Sequence, residues 1–374
     1  MGFQKNNIKK IYVIDDLFYK INHAGYKARI DTMRILTSGL SNSIVYEYYK
    51  QKLLPVKNRV LRVLKRKYKE VYNYFNFLVF LKKRVETDLL IVTYPIETNY
   101  NIAKKIYSDL REYKEKLGFR LIFIVIDIDS IRRDHQTNLF EEAERLGIAD
   151  KVITHNSRMS ALLAEKGLAK DHLGELEIFD YLYDSEFNIA AVNSEIKGYN
   201  IVFAGNLEKG KSGFLYKWTP KVKVDLLGIN LDDSIDKGIF DYLGEFESST
   251  AVLNERINSF GLVWDGPSVE TCEGNVGEYL KYSNPHKASL YLSQGIPVFV
   301  WKHSAVSDFV AKNNVGILIE KLEDINVVLS TLKEEDFLDM RNNAISISRK
   351  MRNGEYLKSA IFSSIKEIDH IRKE

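Results

Sequence analysis

The sequence predicts an α/β protein made of two successive Rossmann-like halves that face each other across a cleft. Three observations point there. Short runs rich in Ile, Val and Phe recur along the 374 residues, segments of helical spacing separate them, and the series starts afresh after Gly198. Continuous apolar strands alternating with helices are what a parallel sheet covered on both faces requires. A chain of this length also exceeds one small core, so two domains of ordinary size are expected.

Taken in order, strands are expected at 9–15 (KKIYVID), 43–49, 88–94 (DLLIVTY), 119–127 (FRLIFIVID) and 151–154. Helical spacing and charge mark 26–38, 52–70, 101–116 and 138–147. The stretch 180–198 reads as a linker. The second series has strands at 199–204, 222–227, 259–264, 296–301 and 315–319, with helices at 249–257, 285–294, 304–313 and 323–349.

Composition excludes several classes. A hydrophobic content of 45% excludes a disordered tail protein, and 21 Gly with 6 Pro exclude collagen-like chains. The single cysteine, Cys272, offers no internal disulfide and there is no C-x-x-C for zinc, so a reducing, cytoplasmic setting is expected. The apolar run Ile11 to Ile14 is too short for a signal peptide, and no window nears the roughly 18 apolar residues of a membrane span.

The net charge of +3 hides an imbalance. Between Lys50 and Arg84 stand 12 Lys/Arg against Glu70 alone, a local charge of +11, and the window contains the aromatic run VYNYFNFLVFL at 71–81. A basic stretch running into an aromatic one fits an anionic membrane surface, here the inner face of the cell membrane. It equally fits a solvated basic helix whose apolar end enters the core.

In open parallel sheets ligands bind beyond the carboxyl ends of the strands, so those segments carry the candidate site. After the first strand, Asn22, Gly25 and Lys27 fall in the strand-to-helix connection, where a glycine lets a ligand approach the backbone. No G-x-G-x-x-G is present, so a dinucleotide cofactor is not expected. The fourth strand ends in Asp127-Ile128-Asp129, followed by Arg132 and Arg133. Two such acids serve either to hold a divalent metal or as one general base and one helix cap.

The second half opens with FAGNLEKGKSG at 203–213, a strand entering a glycine-rich loop with Lys209 and Lys211 before a helix near Gly213. Backbone amides and a lysine there suit a pyrophosphate, although the order is not that of a P-loop. Farther on, GLVWDG (261–266) precedes YSNPHK (282–287) and the helix ASLYLSQG. Asn284 suits that helix's cap and Pro285 its first turn. His286 and Lys287 would then lie in the first turn, where a cation is unfavourable by a few tenths of a kcal/mol unless an anion is bound.

The segment from Gly261 to Gly316 closely resembles the signature of bacterial galactofuranosyltransferase-like enzymes, which group with the streptococcal glucosyltransferases that extend GlcNAc on serine-rich adhesins. The resemblance extends to NHAGYKARID (22–31), IDIDSIR (126–132), DKVITHNSRM (150–159) and FAGNLEKGKSGFLYKW (203–218), and so covers most of the chain. It implies a GT-B glycosyltransferase with a UDP-sugar donor, no further cofactor and no essential metal. An acceptor-side domain is implied over 1–190 and a donor domain over 191–354, with a last helix at 355–374 packed back on the first.

By position, Gly205 and Asn206 match the family's turn near the donor diphosphate, Lys287 matches a lysine contacting the nucleotide, and Asn284 and His286 share its turn. Relatives often carry His-Asp where this chain has Ile126-Asp127, so Asp127 alone carries over. The resemblance further implies inversion at the anomeric carbon, with Lys211, Lys287 and helix-end amides facing the leaving diphosphate. Asp127 is the candidate base, with Asp15, Asp16 and Asp129 as competitors. The transferred sugar would be galactofuranose or glucose. The acceptor would be a polyprenyl-linked or protein-linked glycan, the associations those of a homo-oligomer, and nucleic acid no partner. A nucleotide-sugar epimerase and a non-catalytic partner subunit are the alternatives.

Overall fold

The computed structural model describes residues 8–16, 24–40, 43–48, 59–132, 138–184, 189, 198–247, 253 and 257–371. Two six-stranded sheets organise them. The first contains β1 (Lys10–Asp15), β2 (Ser43–Glu47), β3 (Asp88–Tyr94), β4 (Arg120–Val125), β5 (Lys151–Thr154) and β6 (Leu173–Glu175), in the order β2-β1-β3-β4-β5-β6. The second contains β7 (Asn200–Asn206), β8 (Val224–Ile229), β9 (Phe240–Tyr242), β10 (Ser259–Val263), β11 (Val298–Trp301) and β12 (Gly316–Ile319), in the order β9-β8-β7-β10-β11-β12. Every pairing is parallel. β3 and β4 are buried at every residue, which explains their unbroken Leu, Ile and Val.

Local sequence sets the helix ends. The helix Tyr100–Leu117 starts where the Asn99 side chain accepts the Asn101 N–H at 3.0 Å. It stops at Gly118, whose φ of 72° lets its N–H return to the Lys114 carbonyl at 2.8 Å. Ile106, Tyr107 and Leu110 form its buried stripe against the sheet.

Several elements differ from expectation. The helix expected over 52–70 is described as Arg59–Leu81, so the aromatic run continues it; Phe77 and Phe80 pack against Tyr46 with ring centroids 5.7 and 4.1 Å apart. The helix expected over 323–349 is two, Asp324–Thr331 and Glu334–Arg352, separated by extended backbone at Leu332 and Lys333. Glu334, Glu335 and Asp336 crowd the first turn of the second, where the helix dipole favours acids. The strands β6 and β9 have three residues each, too short to show a period. The expected helix at 249–257 and the 190/191 division fall, for the most part, outside the described residues.

The last helix, Glu355–Ile371, lies on the first sheet: Leu357, Ile361, Ile365 and Ile368 share one apolar cluster with Val13, Leu36 and Ile91. The Asp180 carboxylate accepts the N–H groups of Tyr356 and Leu357 at 3.3 and 2.8 Å and so caps that helix. Burial pushes the Asp180 carboxyl up to about 7.

Candidate active site between the two sheets

In the second sheet the chain order reverses between β7 and β10, the switch point beyond which ligands bind in such sheets. The carboxyl ends meeting there are Gly205-Asn206 and, after β10, Trp264-Asp265-Gly266. Lys287, in the helix His286–Leu292, reaches between them and is buried. Its Nζ stands 2.5 Å from Asp265 Oδ1 and 3.2 Å from the Trp264 carbonyl, and lies 4.5 Å from the centre of the Phe203 ring. Burial pushes the Lys287 ammonium below its usual range, and Asp265 pulls it back up. The cation expected to wait for an anion is thus already neutralised by a carboxylate, which offsets the cost of its place at a helix start.

Gly205 adopts φ +150°, and a Cβ there would come 3.1 Å from Lys287 Cε, so glycine keeps the lysine stem against the backbone. Gly261 in β10 serves similarly: a Cβ would meet the Tyr291 ring at 2.1 Å, while the Tyr291 hydroxyl accepts the Ala204 N–H at 2.7 Å. The loop after β7 folds into the short helix Lys209–Ser212 and a 3₁₀ turn at Gly213–Tyr216, earlier than the helix start expected near Gly213. Asn206 Oδ1 accepts the Glu208 N–H and the Asn230 amide, each at 3.1 Å. The Lys211 carbonyl accepts the Gly266 N–H at 2.8 Å, joining the two loops, whereas Lys209 pairs with Asp232 at 2.9 Å.

Asn284 does not cap its helix; Pro285 holds that position without a side-chain bond. The buried Asn284 amide instead crosses to the other sheet's loops. Its Nδ2 donates to the carbonyls of His155 and Glu177 at 2.7 and 2.9 Å, and its Oδ1 accepts from Asn156 at 2.8 Å. Its N–H donates to His155 Nδ1 at 3.1 Å, which leaves His155 Nε2 to donate to the Ile126 carbonyl at 3.1 Å. A proline at the cap frees the asparagine for this clasp.

His286 stacks on Phe179 with ring centroids 4.7 Å apart, and neither ring nitrogen has a hydrogen-bond partner among the described residues. Burial pushes its imidazole down to about 3, with His155 and Lys27 adding to the effect. Burial likewise pushes His155 down to about 4, against the bond to Ile126. Both rings are therefore neutral near pH 7.

On the first-sheet side Asp127 follows β4, half-buried and ion-paired with Arg132. Beside it the Ile128 N–H donates to the hydroxyl of Tyr279, a residue from the second sheet's side buried in the first sheet's core, at 2.9 Å. Asp129 opens the helix Asp129–Arg132, and its N–H and that of Ser130 donate to Glu142 at 3.2 and 2.8 Å. Asp16 is buried in a bracket, accepting from Glu97 N–H at 2.7 Å, Thr93 at 3.0 Å and Arg29 at 3.2 Å, so its oxygens are committed to structure. Gly25 belongs to the first turn of the helix Ala24–Gly39 and not to a loop, and Asn22 lies outside the described residues. Lys27 is buried against Asp31 at 2.7 Å and the Leu182 carbonyl.

The structure therefore gathers Gly205, Asn206, Lys211 and Lys287 at the second sheet's switch point and sets Asn284, His286 and Asp127 along the junction of the two halves. His155 and Asp265 were not among the sequence-based candidates. Each stands within two residues of a strand's carboxyl end, in THN and VWDG, and that placement was the available signal.

Two parallel sheets joined through the loops at their carboxyl edges, with the switch point of the second beside that junction, form the GT-B architecture of glycosyltransferases. Family models described as the N-terminal and C-terminal domains of glucosyltransferase 3-like proteins match residues 5–178 and 201–364. The chain is 31% identical over 362 residues to the β-1,6-galactofuranosyltransferase WbbI of Escherichia coli K12, covering 96% of this chain and 99% of that protein. It is 21% identical over 220 residues to glucosyltransferase 3 of Streptococcus gordonii, covering 59% of this chain and 63% of that one.

Among solved structures, the lipopolysaccharide outer core galactosyltransferase WaaB aligns with a TM-score of 0.57 at 15% identity, covering 95% of this chain and 99% of WaaB. Anabaena HepE in complex with UDP aligns at 0.59 and 13%, covering 96% and 100%. These two establish the shared fold. The chain belongs to the glucosyltransferase 3-like family and is a glycosyltransferase, as the resemblance in its sequence implied.

Proposed function

We propose that the protein transfers a hexosyl group, galactofuranose or glucose, from a UDP-sugar to a hydroxyl of a cell-surface glycan or glycoprotein precursor. Transfer proceeds with inversion and without a metal. The observation that carries this reading is the buried Lys287 held by Asp265 against Gly205 at the switch point, together with the name of the relative WbbI. The diphosphate would lie over the Gly205-Asn206 turn, where Lys287 and Lys211 meet the negative charge that grows as the sugar–phosphate bond breaks. Asp265 acts through Lys287, fixing the ammonium before the donor arrives.

Asp127 is the proposed base that takes the acceptor proton as its oxygen attacks the anomeric carbon. Arg132 orients the carboxylate, and the His155 bond to the Ile126 carbonyl holds the backbone that carries it. Asp127→Asn should lower turnover of a UDP-sugar by about 100-fold or more with the melting temperature unchanged. Near-normal turnover would assign the base elsewhere.

Donor binding is tested by thermal unfolding against a panel of nucleotides, with and without EDTA. UDP at about a hundred times its dissociation constant should add about 2.7 kcal/mol, and EDTA should leave that shift intact. No shift with any nucleotide would indicate a non-catalytic partner subunit. A shift abolished by EDTA would indicate a metal under the diphosphate.

A further inference from the structure

The helix Arg59–Leu81 returns the chain from β2 to the parallel strand β3, so it runs against the strands and its first turns lie toward the carboxyl edge of the first sheet. Its 23 residues extend about 34 Å, whereas strands of five to seven residues span only about 17–24 Å. The first turns therefore overhang the sheet on the side of the candidate site. Two faces result. Phe77 and Leu81 are buried against the sheet, and Asn73 is buried on the same side of the helix. On the opposite side Leu61, Leu64, Tyr68, Tyr72, Phe75 and Val79 follow one another at intervals of three and four and form a second apolar stripe, exposed to solvent. Tyr68 is 72% exposed and Phe75 59%.

Lys65 and Lys67, both exposed, border that stripe on its two sides, and exposed Lys82 and Lys83 follow its far end. Glu70, the sole acid in the helix sequence, projects away from the stripe and is half-buried. We propose that this stripe docks on an anionic lipid surface. Aromatic and aliphatic side chains would enter the headgroup boundary, with the bordering lysines at the level of the lipid phosphates. A second copy of the chain would instead bring these lysines against one another with no acid to meet them. No described helix is long and apolar enough to cross a membrane, so the contact is a surface one. Docking there would hold the cleft rim next to the lipid and within reach of a lipid-linked acceptor.

The test is co-sedimentation of the full chain with vesicles of phosphatidylcholine alone and of phosphatidylcholine mixed with phosphatidylglycerol. Binding is expected to the anionic vesicles, with release at high salt. The exposed pairs Tyr68→Ser/Phe75→Ser and Lys65→Glu/Lys67→Glu should each reduce partitioning by about tenfold or more with no change in melting temperature. Failure of the unmodified chain to bind anionic vesicles would overturn the proposal, as would binding that neither pair of substitutions weakens. A concentration-dependent dimer that Tyr68→Ser/Phe75→Ser dissociates, without vesicle binding, would assign the stripe to self-association.

Discussion

Asp265→Ala is expected to lower the unfolding free energy by about 3 to 5 kcal/mol, because it strands the Lys287 ammonium in a buried site. The Trp264 carbonyl at 3.2 Å remains as an acceptor but cannot balance a full charge. Removing the lysine as well should restore much of the lost stability, since Asp265→Ala with Lys287→Met leaves no buried charge. That double variant should nevertheless lose the stabilisation by UDP, because the pair is proposed to face the diphosphate. Denaturant unfolding of the two single variants and the double variant measures the coupling. A double variant no more stable than Asp265→Ala would show that the carboxylate serves something other than the lysine.

Asn284→Ala is the second large effect, at about 3 kcal/mol or more. The substitution strips partners from the His155 and Glu177 carbonyls and from Asn156, and each buried group left unsatisfied costs about 1–3 kcal/mol. Because these bonds join the loops of one sheet to those of the other, the loss should also weaken coupling between the halves. Calorimetry is expected to show a broadened or split transition in place of one. Asn284→Asp should behave similarly, since a carboxylate has no donor for the two carbonyls. A single sharp transition with an unchanged midpoint in both variants would refute the clasp.

Much of the architecture was legible because its strands are buried on both faces. β3 and β4, of seven and six residues, carry the unbroken apolar runs 89–92 (LLIV) and 121–125 (LIFIV), the pattern of a strand covered by helices above and below. The three-residue strands β6 and β9 and the four-residue helices Asp129–Arg132 and Lys209–Ser212 are shorter than any period that could reveal them. The site was legible by position and less so by role. Lys287 was recognisable as a cation near a helix start, but its partner Asp265 lies 22 residues earlier and meets it only because the helix His286–Leu292 packs beside β10. Asn284 shows the same limit: its local sequence favours a cap, and a contact 129 residues away takes precedence. Long-range pairing of polar side chains leaves no periodic trace in the chain.

The helix Glu355–Ile371, held on the first sheet by Asp180 and by Leu357, Ile361 and Ile365, has a consequence for biosynthesis. A ribosome delivers the strands of the first sheet early, yet the helix that covers part of that sheet emerges only after the strands of both sheets. Until then the nascent first half carries an apolar strip around Val13, Leu36 and Ile91 that its own later residues must cover. The second half has its complete sheet in hand sooner. It can fold while its neighbour waits, so completion of the N-terminal half is tied to synthesis of residues 355–371, which lie beyond the whole second sheet.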